Sequence, residues 1–269
     1  DANGSTQSSI YTIYYQSGAD TSSINNSGTI LSDYSGKNAN GIHVEGSSLS
    51  SIVNTATGTI EAKSTSNISS GIRITSAGSY VTDITNAGTI SASSSGAAYG
   101  ITSLASGDGF DTLTNTGTIS AIGGPNRSSD EAAWGIAMWG STNIYGSVIN
   151  SGTIQASTTE GSGKFSLGIR QLGTLTTLNN SGTISGSKVG VRNTGTITNF
   201  TNTGTITGTS EYSIENSDTG VITNLHNSQN NLTFTGNLPT NYSVIINSAS
   251  DYGKITFSSP SGSLNFSIH

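Results

Sequence analysis

The chain has 269 residues, a net charge of −6, 35 glycines, 3 prolines and no cysteine, and 9% of its residues are charged. Ordinary globular domains carry about 25% charge; here Ser, Thr, Asn and Gly take that place, and the strict periodicity of the apolar residues argues against disorder. Lack of cysteine excludes thiol catalysis, disulfide staples and Cys-ligated zinc. A pI near 4.8 with nine scattered basic residues provides no stripe for nucleic acid, and no apolar run approaches the roughly 20 residues of a membrane-spanning helix.

In chain order, residues 1–11 come first as an N-terminal segment or cap. They carry neither a basic n-region nor an apolar h-region, so any secretion signal is expected to be already removed. From about Thr12 a repeat takes over. The phrase Asn-x-Gly-Thr-Ile stands at 26–30, 86–90, 115–119, 150–154, 180–184 and 202–206. Recurrence roughly every 20 to 35 residues means one supersecondary unit stacked on copies of itself.

Each unit has two further apolar beats. Five and two residues before the Asn stand Leu49/Ile52, Val81/Ile84, Phe110/Leu113, Tyr145/Val148, Leu175/Leu178, Ile197/Phe200 and Ile222/Leu225. Upstream is Gly-Ile or a variant, at Gly41-Ile42, Gly71-Ile72, Gly100-Ile101, Gly135-Ile136, Gly168-Ile169, Gly190-Val191 and Ser213-Ile214. No helical spacing persists for a helix's length, and β-branched residues and Gly dominate. Three short strands per unit, with turns at Gly and Asn, fit instead. The expected fold is all-β: a right-handed parallel β-helix of about eight coils over 12–231, at about 4.8 Å per coil. Residues 232–269 read as C-terminal coils or a cap. They end in strand-like alternation, and the natural polypeptide is expected to continue.

Stacking gives the repeated positions their roles. Ile30, Ile60, Ile90, Ile119, Ile154, Ile184 and Ile206 form an inward column, each burying about 2 kcal/mol of side chain. Asn54, Asn86, Asn115, Asn150, Asn180 and Asn202 form a structural turn column, where Asn tolerates a left-handed φ and its amide can bond its copies. The Gly two residues later is expected to supply φ values that other residues avoid.

Extra residues enter between the Gly-Thr-Ile strand and the next Gly-Ile, at 31–40, 61–70, 91–99, 120–134, 155–167 and 185–189. Insertions at one corner of a solenoid project from one face. The longest, 120–134, holds Arg127, Asp130 and Glu131 and leads into Trp134 and Trp139, the only tryptophans. With Tyr99 and Tyr145 they form the candidate binding group. Exposed aromatics stack on sugars and anchor protein interfaces; alternatively a tryptophan packs beneath the long loop as local core.

Other chemistry is thinner. The 107–112 stretch, Gly-Asp-Gly-Phe-Asp-Thr, resembles one calcium-type turn without tandem copies, and reads as an ordinary turn with no metal. Asp108, Asp111, Asp130 and Glu131 are the densest acidic group, either a solvated face or the paired carboxylates of a glycan-active enzyme. His43 shares a column with Arg73, Thr102, Ala137, Arg170, Arg192 and Glu215, read as exposed and variable; His226 and His269 lie elsewhere. A flat ice-binding face would need a second Thr column, where Leu31, Glu61, Ser91, Ser120, Gln155, Ser185 and Thr207 stand instead. Nothing points to a cofactor.

Tandem Asn-x-Gly-Thr-Ile coils, the lack of Cys, and the closing stretches 237–247 and 252–255 resemble the passenger domain of a bacterial type V autotransporter over roughly 12–269. The resemblance implies secretion through a C-terminal outer-membrane β-barrel and display on a Gram-negative cell surface. It further implies a family of adhesins, self-association factors, cytotoxins and proteases. The Gly-Asp-Ser-Gly nucleophile motif of the protease members is missing. The expected function is a surface adhesin without catalysis, acting in cell adhesion or in autoaggregation and biofilm. Its partners would be copies of itself or a host-surface protein or glycan, and not nucleic acid. The alternatives are a glycan-active lyase or hydrolase and an inert spacer.

Overall fold

The computed structural model describes residues 9–16, 22–104, 107, 109–217 and 219–269. Their 27 strands build a right-handed parallel β-helix of three sheets. One coil illustrates the path. Ala98–Ser103 lies in sheet A, Gly109–Asn115 in sheet B and Thr118–Gly123 in sheet C. Glu131–Met138 then returns to sheet A beside the strand one coil earlier, pairing Tyr99 with Trp134 and Ile101 with Ile136. All strand ladders are parallel and keep each repeated position in register, as in Ile90–Ile119–Ile154. Such columns bury their side chains only because neighbours cover them above and below, and they form one continuous core.

Sheets A and B each contain ten strands and sheet C seven; eight strands of each of sheets A and B precede residue 232, as the eight expected coils require. The first strand, Ser9–Gln16, starts ahead of Thr12. Residues 232–269 supply two more strands to each of sheets A and B, and none to sheet C. The end of sheet C has a local cause. Gln229 stands where another strand would pair with Thr205–Gly208. Its Oε1 accepts from the Ile206 backbone N–H at 2.8 Å, and its Nε2 donates to the Ile206 carbonyl at 3.0 Å. One side-chain amide thus satisfies the backbone groups that a strand edge would leave unpaired.

At the corner between sheets B and C the repeated Asn residues form a buried ladder. Each Nδ2 donates to the Oδ1 one coil on, from Asn54 to Asn86, Asn115, Asn150, Asn180 and Asn202, at 2.7–2.8 Å. Asn26 and Asn227 extend it at either end. The expected left-handed backbone is not found at these Asn residues or at the Gly two residues on. It falls elsewhere, as at Gly46 (φ 61°) and Gly78 (φ 87°) in the short corners from sheet A to sheet B. The reason for Gly in the repeat is steric. A Cβ on Gly88, Gly117, Gly152, Gly182 or Gly204 would overlap the carbonyl oxygen of the glycine one coil earlier. The Gly-Ile column has a similar origin: a Cβ on Gly41, Gly71, Gly100, Gly135, Gly168 or Gly190 would sit 2.6–2.7 Å from the Cγ2 of an isoleucine in sheet C.

Candidate functional site

Insertions do gather at the corner between sheets C and A, but strands reach into them. Within 120–134 the loop is only 124–130, and Trp134 belongs to the strand Glu131–Met138. Ala133 of that strand joins an interior alanine cluster. Trp134 joins a second apolar cluster, with Ala97, Tyr99, Ala137, Leu167 and Val189, against which Trp139 and Ile68 pack. Sheet A therefore has apolar packing on its outer face as well as its inner one.

This outer packing corrects two expectations. The His43 column is not an exposed row: His43 is 7% exposed and Thr102 and Ala137 are fully buried, with Arg170 and Arg192 half-buried. Nor is Trp134 an open stacking platform, being 1% exposed. Its indole lies flat on Tyr99, with ring centres 4.7 Å apart and planes 8° from parallel. Trp139 meets it edge-on at 5.6 Å. Arg127 lies 5.8 Å over the Trp134 ring and Arg170 lies 4.5 Å over Trp139, within the range of cation–π attraction. Local packing accounts for the burial, and it leaves the indole edges and guanidinium groups around a hollow.

Tyr145 does not belong to this group. It points into the core from the strand Ile144–Asn150 of sheet B, its ring 5.1 Å from Phe110. Its hydroxyl donates to Ser103 Oγ and accepts from Asn143 Nδ2, each at 3.1 Å.

The hollow, of about 410 Å³, is lined by Arg127, Asp130, Glu131, Trp134, Trp139, Arg170 and Lys188. Glu131 is engaged at both oxygens: Arg170 Nη1 donates to Oε2 at 2.7 Å and Arg192 Nη1 to Oε1. Arg192 Nε also donates to Glu215 Oε2 at 2.8 Å. Burial works against the Arg192 charge, yet Glu131 and Glu215 outweigh it and raise its pKa. Lys188 faces Glu211 at 3.4 Å. Arg127 donates through Nε to Ser129 Oγ at 2.9 Å and makes no ion pair among the described residues. Burial pushes the Tyr99 phenol up, while Arg127, Arg73 and Arg170 pull it down. On its far side Arg170 also walls a second hollow of about 510 Å³, lined by Ser141, Thr174, Thr194, Thr196, Thr219 and the glycines Gly173 and Gly195.

The acidic group does not assemble. Asp108 lies outside the described residues. Asp111 sits on the strand Gly109–Asn115 of sheet B, where the Tyr80 hydroxyl donates to it. Asp130 and Glu131 lie where the chain enters the strand Glu131–Met138 of sheet A. Among the described residues no group of three His, Cys, Asp or Glu could hold a metal ion. His226 and His269 face one another at 4.7 Å on sheet B, apart from His43 on sheet A.

The sequence places Arg73, Arg170 and Arg192 in the His43 column but not in the candidate site, and Lys188 is not singled out. A signal was present: three of the four arginines share the column two residues after Gly in Gly-Ile. Comparison with protein-family models, curated proteins and solved structures found no match. Fold and site together define a parallel β-helix with an aromatic and cationic hollow on the outside of sheet A.

Proposed function

We propose that the chain is a surface-displayed bacterial binding protein of the autotransporter-passenger kind, a non-catalytic adhesin whose outer-membrane barrel would follow it. The observation that carries this reading is the hollow at Arg127, Trp134, Trp139 and Arg170. It is built on a scaffold whose other outward rows are mainly Ser, Thr and Asn, as along sheet B at Ser51, Asp83, Thr112, Ser147, Thr177 and Asn199. Engagement of both Glu131 oxygens by arginines supports recognition over acid–base chemistry, for which a carboxyl group must reach a substrate proton.

Self-association is a second reading with its own support. The outer face of sheet B carries an amide row, Asn199–Asn224–Asn241–Asn265, bonded side chain to side chain at 2.8–3.1 Å. Such a row on an opposing copy could pair many bonds of about 1 kcal/mol each.

The test is display of the chain on non-aggregating bacteria, with settling and host-cell adherence measured in parallel. Adherence that falls with Arg127→Gln supports the hollow. Settling without host cells, insensitive to that change, supports sheet B. Absence of both adherence and settling would overturn the adhesin reading.

A further inference from the structure

Three residues that wall the hollow carry unused donors. Among the described residues, Trp134 Nε1, Trp139 Nε1 and Arg170 Nε are buried without a protein hydrogen-bond partner. Buried polar atoms are nearly always paired, and leaving one unpaired costs about 1–3 kcal/mol. All three are donors, so the missing partner is an acceptor. Five of the nine basic residues, Arg73, Arg127, Arg170, Lys188 and Arg192, gather on this face of a chain whose net charge is −6. Arg127 has no carboxylate partner, and Arg170 Nε remains unused beyond its bond to Glu131.

The second hollow differs. Its lining is hydroxyls and glycine backbone, with Leu172 as the only large apolar side chain. Both volumes, 410 and 510 Å³, fall within the range of small-ligand sites, and Arg170 is their common wall. A lone inorganic anion would leave the hydroxyl-lined hollow unexplained, and an acidic peptide would want an apolar anchor there.

Resting on the adhesin reading, we infer that the two hollows flanking Arg170 form one site for an acidic oligosaccharide. A carboxylate-bearing sugar meets Arg127 and Arg170 beside the two indoles, and the next unit places its hydroxyls against Thr174, Thr194 and Thr196. Planar guanidinium groups match a carboxylate fork to fork. Threonine hydroxyls and backbone groups both give and accept hydrogen bonds, as sugar hydroxyls require.

The experiment is calorimetric titration of the purified chain with uronate- and sialate-containing oligosaccharides, each paired with its carboxyl-reduced form. At least one carboxylated member is expected to bind, and its reduced form at least ten-fold more weakly. Arg127→Gln, whose side chain bonds Ser129 and lies over the Trp134 ring, should weaken binding at least ten-fold with little change in melting temperature. Arg170→Gln should do the same with some loss of stability, and Lys63→Gln on sheet C should change nothing. Equal binding of carboxylated and reduced forms, wild-type affinity in Arg127→Gln, or no binding by any member would overturn the inference. Adherence of displayed cells that persists without sugar binding would overturn it while sparing the adhesin reading; loss of adherence and settling together would overturn both.

Discussion

Asn86 donates its side-chain amide to Asn115 Oδ1 at 2.8 Å, and Asn115 repeats the bond to Asn150 at the same length. Asn115 Nδ2 also reaches the Thr153 carbonyl at 3.1 Å. Replacing Asn115 by Ala removes one donor and one acceptor from a dry column, at a cost of about 2–3 kcal/mol. In a chain of this size that is roughly 5–10 °C of melting temperature. Asn115→Asp should be worse at neutral pH, because a buried carboxylate cannot donate to Asn150. Burial raises such a carboxyl's pKa in the folded state, so the stability deficit grows as pH rises through the unfolded value and shrinks toward pH 4. Thermal melts at pH 4 and 7 would reveal a mistaken ladder if the Asp variant lost no more than the Ala variant at pH 7.

Gly117 and Gly28 occupy the same place in the repeat with different surroundings. A methyl at Gly117 would overlap backbone atoms of Gly88 and Ala87, whereas among the described residues nothing lies within 4 Å of one at Gly28. Gly117→Ala is expected to exceed the usual overpacking cost of about 1–3 kcal/mol, because backbone rather than a flexible side chain must yield. Gly28→Ala should be neutral or slightly stabilising. Equal melting temperatures for the two variants would contradict the steric account.

His43 gives stability a pH dependence. Burial, with a smaller push from Arg73 and an opposing pull from Glu45, lowers its pKa from 6.5 to about 4. The unfolded chain therefore takes up a proton that the folded chain refuses. Stability is full above pH 6.5 and declines as pH falls toward 4. His226, also lowered by burial, acts in the same direction but is less enclosed. Glu45, held low chiefly by the Tyr14 hydroxyl's hydrogen bond, adds its loss only below its ordinary value of 4.5. His43→Gln should flatten the melting-temperature profile between pH 6.5 and 4.5, and an unchanged slope there would assign the effect elsewhere.

Tyr145→Phe removes a buried hydroxyl bonded to Ser103 and Asn143. The expected cost is about 1–2 kcal/mol, with no effect on ligand binding at the hollow because the ring faces the core. A binding defect at normal stability would return Tyr145 to the site.

The fold was legible because its signals are local and repeated. Ile30 through Ile206 announce an inward column, and Asn54 through Asn202 a corner, each by recurrence alone. The phrase is less specific about which corner it builds. Asn193-Thr194-Gly195-Thr196-Ile197 spells it too, yet it turns from sheet A into sheet B, with Asn193 donating to Asn216 at 2.8 Å. The physics is the same at both corners: a buried amide and a glycine beneath a carbonyl. The candidate site was half legible. Trp134, Trp139 and Arg127 stand out as rare residues beside a long insertion. Arg170 and Arg192 come from later coils, and only stacking brings them to Glu131. Burial on the outside of sheet A was not legible, because it depends on side chains from several coils packing over one another.

The Asn ladder also has a direction. Every amide from Asn26 to Asn202 donates toward the later coil, so the bond dipoles align along the axis and polarise one another. The column is a one-way wire that starts at Asn26 Oδ1, which accepts from the Gly28 N–H, and ends at Asn227 Nδ2, which donates to the Gln229 carbonyl. A repeat taken from elsewhere in the stack would fit only if it entered in the same sense. The solenoid thus carries an arrow in its interior that its exterior rows of Ser, Thr and Asn do not show.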